Sequence, residues 1–481
     1  MKKIISIVLC LVLTAIPLCT TSAAALTAPE YPFVLVRGMD FNGLFIDEGT
    51  ENERPAIGPF ESQDILQTLL YAGVAAGVGT SMDNAVNELI VYAKRVLGNL
   101  ACDNTGASIY NVDPHRYPEA MSTYSDFPYS DVSEIGMIKR AVELYGGENV
   151  YYFCYDWRMN PLDVADEIAA TVDKAIAETG KSKVNLINCS MGGVMTVAYM
   201  TKYGYDKLNK CVFCSSTAGG IGIISDLFLG KVCVDSQALY NYVKVNLSEN
   251  PEADTLFTLM NILGVFDAVS DWANAFIGKH KEKVYDELLV DLFGNMLSLW
   301  ALVKQDKFDD CVAYMFGDDE EGEHAEFLTK ARQLQDMMAA RDQLLDDAYA
   351  DGVEIIFFTS YNFPSIPIYE NSAVNGDGVI ETHYMSKGAT VADYGTTLDE
   401  STIDINSPYV SADLIIDAST CQFPDTTWFI KNAPHVGCDY GTGESDFLFW
   451  LFDTENPKIT DNPAYPQFMV ADSNLSLTPL T

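Results

Sequence analysis

The chain is 481 residues long, 48% hydrophobic and 20% charged, which is enough apolar mass to bury a large core without help from disulfides or metals. With 29 Lys and Arg against 68 Asp and Glu, its formal charge is −39. A chain so acidic repels phosphate-rich surfaces, which excludes nucleic acid and anionic membranes as partners and points any lipid substrate toward neutral or zwitterionic chemistry.

Residues 1–25 read as a secretory signal peptide: Lys2 and Lys3, an apolar run over 4–18, then Thr20-Thr21-Ser22-Ala23-Ala24-Ala25, with cleavage expected near Ala24 or Ala25. The apolar run is too short to span a bilayer comfortably. Leu18 before Cys19 lacks the small residue of a lipoprotein signal, and no later segment offers 18 uncharged apolar residues, so a soluble, exported protein is expected. Of the eleven cysteines, Cys10 and Cys19 belong to this segment, and an odd number remains at irregular spacing. No disulfide framework follows from that pattern. Cys211-Val-Phe-Cys214 has the C-x-x-C form but lies in an apolar strand, where cysteine acts as a small buried hydrophobe.

Residues 31–36 form a compact apolar run that predicts a buried strand ending at Arg37-Gly38-Met39. Helical periodicity runs over 60–103, a polar, Pro-containing excursion over 104–132, and a helix over 132–145 stopped by Gly146-Gly147. A strand over 149–153 leads into Tyr155-Asp156-Trp157-Arg158. The next helix is capped by Asn160, opens with Pro161, spaces Val164, Ile168, Val172 and Ile176 by four, and stops at Gly180. A strand over 183–188, a helix from Met191 to about Tyr203 and a strand over 210–214 continue the alternation, which resumes with strands at 353–358 and, last, 427–430. Such alternation predicts an α/β architecture with a mostly parallel central sheet covered by helices.

Residues 220–350 differ in kind, with helical segments at 256–266, 284–303 and 325–348 and no strand pattern. The expected organisation is therefore a core of 26–219 and 351–481 with a large helical cap, 220–350, inserted between sheet strands. Most of the cap's Phe257, Met260, Phe266, Trp272, Phe276, Phe293 and Trp300 must pack helices, and some are candidates for lining an acyl-chain pocket. The acidic run at 318–323 matches no calcium loop and reads as solvated. Gly219-Gly220-Ile221-Gly222 lacks the third glycine of a dinucleotide fingerprint and reads as a flexible entry to the cap. No cofactor or metal is expected.

The chemistry is carried by Asn188-Cys189-Ser190-Met191-Gly192-Gly193, which sets one serine on a sharp turn between a buried strand and a helix. A nucleophilic serine occupies that place in α/β hydrolases, and Gly192 and Gly193 permit the close strand–helix packing it needs. An ordinary helix N-cap is the alternative reading of Ser190. A serine hydroxyl is a weak nucleophile and needs a histidine base with an acid to orient it, in the chain order Ser, Asp or Glu, His. Of His115, His280, His324, His383 and His435, only His435 follows the last predicted strand. The acid belongs after strand 353–358, where Asn375-Gly376-Asp377-Gly378 is a turn-rich loop. Asp377 is the choice there, with Asp393 and Asp417 as rivals. The backbone N–H groups of Met39 and Met191 occupy the topological positions of oxyanion donors. Arg37 reads equally as a structural ion-pair partner.

Together Tyr155-Asp156-Trp157-Arg158, Ser190-Met191-Gly192-Gly193, Gly376-Asp377-Gly378-Val379 and the late His435 resemble the lecithin:cholesterol acyltransferase-like branch of α/β hydrolases, in outline from about 31 to 452. The resemblance implies cleavage of a lipid acyl ester through an acyl-serine, with transfer to water or an alcohol, and gives Ser190 as nucleophile, Asp377 as acid and His435 as base. Asn188-Cys189 departs from the small residue and histidine usual before the serine, and the cap has little recognisable similarity.

The expectation is thus a secreted serine esterase or lipase with an acyl-ester substrate, open to O-acyltransferase activity and without an obligate protein partner. A non-catalytic exported lipid-binding protein on the same scaffold is the alternative, and a serine peptidase a third.

Overall fold

The computed structural model describes residues 29–59, 82–125, 127, 135–247, 251–317, 322–369, 372–435, 446–472 and 476–481. The signal-peptide reading of 1–25, the helical periodicity of 60–81 and most of the acidic run at 318–323 lie outside the described residues.

Short β-rich runs bounded by turns form an eight-stranded sheet: β1 (Phe33–Val36), β2 (Val150–Phe153), β3 (Val184–Cys189), β4 (Leu208–Cys214), β5 (Glu354–Tyr361), β6 (Thr427–Lys431), β7 (Phe468–Ala471) and β8 (Leu477–Pro479). Their spatial order is β8-β7-β6-β5-β4-β3-β1-β2, and all neighbours are parallel except β7 and β8. Parallel strands must be covered on both faces, which is why β3 is buried at every position. Alternate side chains divide accordingly. Val34, Val36, Leu186, Phe213 and Phe357 pack under α3 (Pro161–Thr179) and α4 (Gly192–Tyr203), whereas Phe33, Leu35, Ile187, Val212 and Phe358 pack on the opposite face. That second face is covered by α2 (Ile135–Tyr145) and α11 (Phe447–Asp453). α1 (Met82–Leu97) precedes them in the chain.

α3 is capped as its sequence indicates. The Asn160 side chain accepts from the Leu162 N–H at 3.0 Å, and Gly180 ends the helix with φ +68°. The strand at 427–431 is not the last, because β7 and β8 extend the sheet beyond it. Both are only three or four residues long and sit between polar loops, so neither shows a readable period.

Helices fill the interval between β4 and β5: α5 (Gly222–Phe228), α6 (Ser236–Leu247), α7 (Pro251–Ile262), α8 (Val265–Val284), α9 (Phe308–Phe316) and α10 (Ala325–Ala350). The segment expected as one helix over 284–303 is two. α8 widens into a π-helical stretch, Tyr285–Gly294, and a four-residue helix, Leu297–Trp300, follows. The break falls at Gly294-Asn295, where the Trp300 indole N–H donates to the Gly294 carbonyl at 2.7 Å and turns the chain back. α10 packs against α4 and β5, so it covers the sheet as well as the helices before it.

Candidate active site

β3 ends at Cys189, and Ser190 then adopts φ +49°, a left-handed conformation that costs a non-glycine residue about 1–3 kcal/mol. Neighbouring backbone holds it there. The Ser190 N–H donates to the Cys214 carbonyl at 3.2 Å, and the Ser190 carbonyl accepts from the Thr217 N–H at 3.0 Å and its hydroxyl at 3.1 Å. A helix N-cap would have extended backbone, so this conformation is not that of an ordinary cap. The two glycines after it are required by close approach. A Cβ on Gly192 would lie 2.7 Å from the carbonyl oxygens of Val36 and Arg37, and one on Gly193 would lie 1.8 Å from Ser216 Oγ. Gly38 serves the same end from β1, since a Cβ there would come within 2.9 Å of Ser190 Cβ.

His435 enters from the loop after β6. Asn432, with φ +65°, turns that loop, donating its N–H to the Tyr361 carbonyl at 3.0 Å and accepting from Asn362 Nδ2 at 2.7 Å. His435 Nε2 stands 2.9 Å from Ser190 Oγ, and His435 Nδ1 stands 2.7 Å from Asp377 Oδ2. Asp377 is buried, and its other oxygen accepts from the N–H groups of Val379 at 2.9 Å and Ile380 at 2.7 Å. Gly376 and Gly378 make that turn possible: a Cβ at Gly376 would meet the Ile380 carbonyl at 2.3 Å, and Gly378 has φ +99°. This geometry suits the neutral imidazole tautomer with its proton on Nδ1, which donates to a carboxylate while the Nε2 lone pair faces the serine hydroxyl.

The other candidates lie elsewhere. Asp417 caps a short turn by accepting from the Ser419 N–H, and Asp393 lines a separate cleft with His383, whose Nδ1 is bonded to the Ala389 carbonyl. His115 pairs with Glu53, His280 is buried beside Phe276, and His324 stacks on Phe316. Arg37 forms an ion pair with Asp40. Asn188 is fully buried at the end of β3, with its Nδ2 3.9 Å from Cys211 Sγ.

Ser190 and His435 open onto a cavity of about 480 Å³ whose wall includes Met39, Met191, Phe228, Tyr285, Leu289 and Phe293. That volume lies within the roughly 300–1,000 Å³ of small-molecule sites, and the lining is almost wholly apolar. Trp157 is a wall residue that sequence reasoning left without a role. Its ring packs 5.0 Å from that of Phe41, and its buried indole N–H meets no hydrogen-bond partner among the described residues. The residues on either side explain its placement. Asp156 and Arg158 form a buried bidentate pair at 2.5 and 2.9 Å, and Arg158 also donates to the Leu100 carbonyl, which locks the turn that projects Trp157.

Two expectations about the cap are corrected here. Trp300 does not line the cavity but stands behind its wall, packed on Phe228, Phe308 and Phe316, because its N–H is tied to Gly294. The segment Gly219-Gly220-Ile221-Gly222 is a close-packed joint rather than a flexible entry: a Cβ on Gly219 would meet the Tyr384 carbonyl at 2.1 Å, and one on Gly222 would meet Glu381 Oε1 at 2.0 Å.

No family model matches the chain, and no curated protein does. Among solved structures it is similar to a chain in the crystal structure of the Tle4-Tli4 complex, with 11% identity, a TM-score of 0.31, and coverage of 69% of this chain and 75% of that one. A superposition at that score establishes neither a shared fold nor a shared function.

Proposed function

We propose that this protein is a serine hydrolase of the α/β-hydrolase fold that cleaves carboxylic esters bearing an apolar acyl chain. The observation that carries this reading is the hydrogen-bonded series Ser190 Oγ, His435 Nε2, His435 Nδ1, Asp377 Oδ2, at 2.9 and 2.7 Å, on the wall of an apolar cavity.

In this reading Ser190 Oγ attacks the ester carbonyl while His435 Nε2 takes its proton, and buried Asp377 holds the imidazole in the tautomer that can do so. The tetrahedral intermediate places its oxyanion toward the backbone N–H groups of Met39 and Met191, and its collapse expels the alcohol, protonated by His435. Water, or a second alcohol, then enters on the same base and releases the acyl group. The acyl chain occupies the cavity under the cap of 220–350, and the resemblance to the lecithin:cholesterol acyltransferase-like branch belongs to this reading. So does export through the 1–25 leader. No step needs a metal or cofactor.

The test is hydrolysis of p-nitrophenyl esters of graded chain length by the purified protein beside Ser190→Ala. Activity that rises with acyl length and vanishes in the variant supports the proposal. Activity that survives Ser190→Ala, or its absence from the folded wild type at every length, overturns it.

A further inference from the structure

The cap carries an apolar elbow that takes no part in the cavity wall. α7 and α8 meet at Leu263-Gly264 with their axes bent by 66°. Gly264, with φ +70°, makes the break. Polar residues ordinarily occupy such a junction, yet Ile262 and Leu263 are 75% and 69% exposed. Leu256, Leu259, Val269 and Trp272 are exposed on the flanking helices. Scattered exposed hydrophobes need no explanation, but a contiguous set on a vertex does. Between Thr255 and Ser270 the one charged residue is Asp267, in a chain that is 20% charged, and no Lys or Arg occurs between Lys244 and Lys279.

We propose that this elbow docks the protein onto a neutral or zwitterionic lipid surface, with Ile262 and Leu263 inserting into it. A convex vertex suits a deformable lipid layer better than the groove of a folded partner. Trp272 lies eight residues beyond Gly264, about 12 Å along a helix rising 1.5 Å per residue, which brings its ring to headgroup depth when the vertex reaches the acyl region. No single described helix is long and apolar enough to cross a membrane, and the 66° bend gives a wedge.

The electrostatics select the lipid. The charges nearest the elbow along the chain are the exposed Asp267 and Asp271, the nearest lysine on the adjoining helix, Lys244, is paired with Asp254, and the whole chain carries −39. The same charge opposes a second copy on this face. α8 continues without interruption into the stretch whose Tyr285, Leu289 and Phe293 line the cavity, so one helix of about 30 Å ties the elbow to the cavity wall. The docking surface itself does not depend on the catalytic reading.

The experiment is flotation with phosphatidylcholine vesicles, using the wild type and Ser190→Ala so that turnover plays no part. Both are expected to bind equally. Ile262→Asp combined with Leu263→Asp should weaken partitioning at least tenfold with circular dichroism and thermal midpoint unchanged, since both side chains are exposed, and Trp272→Ala should weaken it severalfold. Added phosphatidylglycerol should reduce binding at low salt, and salt should restore it. Absence of wild-type flotation, or partitioning indifferent to the double substitution, overturns the proposal. So does a dimer, seen by sedimentation, that the double substitution dissolves without any vesicle binding. Vesicle binding by a protein that hydrolyses no ester would uphold the elbow and sink the catalytic reading.

Discussion

Glu381 accepts the backbone N–H of Gly222 on Oε2 at 3.0 Å, and in doing so joins the turn that carries Asp377 to the first helix of the cap. On one side of this joint the Ile380 N–H binds Asp377; on the other, Ile223 and Ile224 enter the cavity wall. Only glycine at 222 leaves room for the carboxylate. The turn that carries Asp377 and the wall of the cavity are therefore joined by one buried hydrogen bond.

Burial pushes the Glu381 carboxyl above its ordinary value, with the Gly222 N–H pulling partly back. A carboxyl raised in this way binds its proton more tightly folded than unfolded, so its ionisation lowers stability as pH climbs from the ordinary carboxylate value through the raised one. Glutamine keeps an acceptor for Gly222 and has no charge to desolvate. Glu381→Gln is expected to match or exceed the wild type at neutral pH and to flatten the stability profile above about pH 4. Urea midpoints across a pH series check this, and a variant clearly weaker at pH 7 would contradict it.

Ser190→Ala should lower kcat on the order of 10⁴–10⁶-fold, the range found when a member of such a triad is removed. Ser190→Gly should lose activity equally yet gain about 1 kcal/mol of stability, because glycine relieves the φ of +49°. Chemical denaturation of the two variants side by side distinguishes strain from chemistry. Equal stabilities would mean that the turn stores none.

Gly193→Ala places a methyl group where Ser216 Oγ stands, 1.8 Å away, with the Ala218 backbone nitrogen at 3.0 Å. Overpacking of this kind costs about 1–3 kcal/mol, and it should displace α4 from the 216–218 turn and reduce ester hydrolysis at least tenfold. Combining it with Ser216→Gly, which clears the nearest atom, should recover part of both losses.

Leu289→Trp and Trp300→Ala should behave oppositely. Leu289 is in the cavity wall, so a larger side chain there should shift preference toward shorter acyl chains with little change in stability. Trp300 is fully buried behind the wall, and its truncation should cost about 3–5 kcal/mol while leaving the chain-length profile of the surviving enzyme close to that of the wild type. Kinetics on graded esters and thermal unfolding read the two effects separately.

The helix of Pro161–Thr179 and the Ser190 turn were legible because their determinants are local. Asn160, Pro161 and Gly180 act within a turn of where they stand, and a buried strand followed by Ser190, Gly192 and Gly193 admits few backbone paths. β7 and β8 escaped notice because three- or four-residue strands at a sheet edge carry too little period to read. The cap was legible as helical but not as a wall: periodicity tells that Trp300 and Phe293 are on helices, not which of them faces the cavity.

By itself, then, the sequence determined the α/β alternation, the strained serine between β3 and α4, and an acidic chain unsuited to phosphate-rich partners, since each depends on residues close together or on composition alone. The tertiary structure decided which carboxylate meets His435, and the reason is distance along the chain. Ser190 and His435 are 245 residues apart and His435 and Asp377 are 58 apart, so only the parallel order of β3, β5 and β6 brings their loops to one edge of the sheet, leaving Asp393 and Asp417 elsewhere. It also decided that Phe293, rather than Trp300, forms the chamber, because one indole hydrogen bond to Gly294 turns the chain at the end of the π-helical stretch.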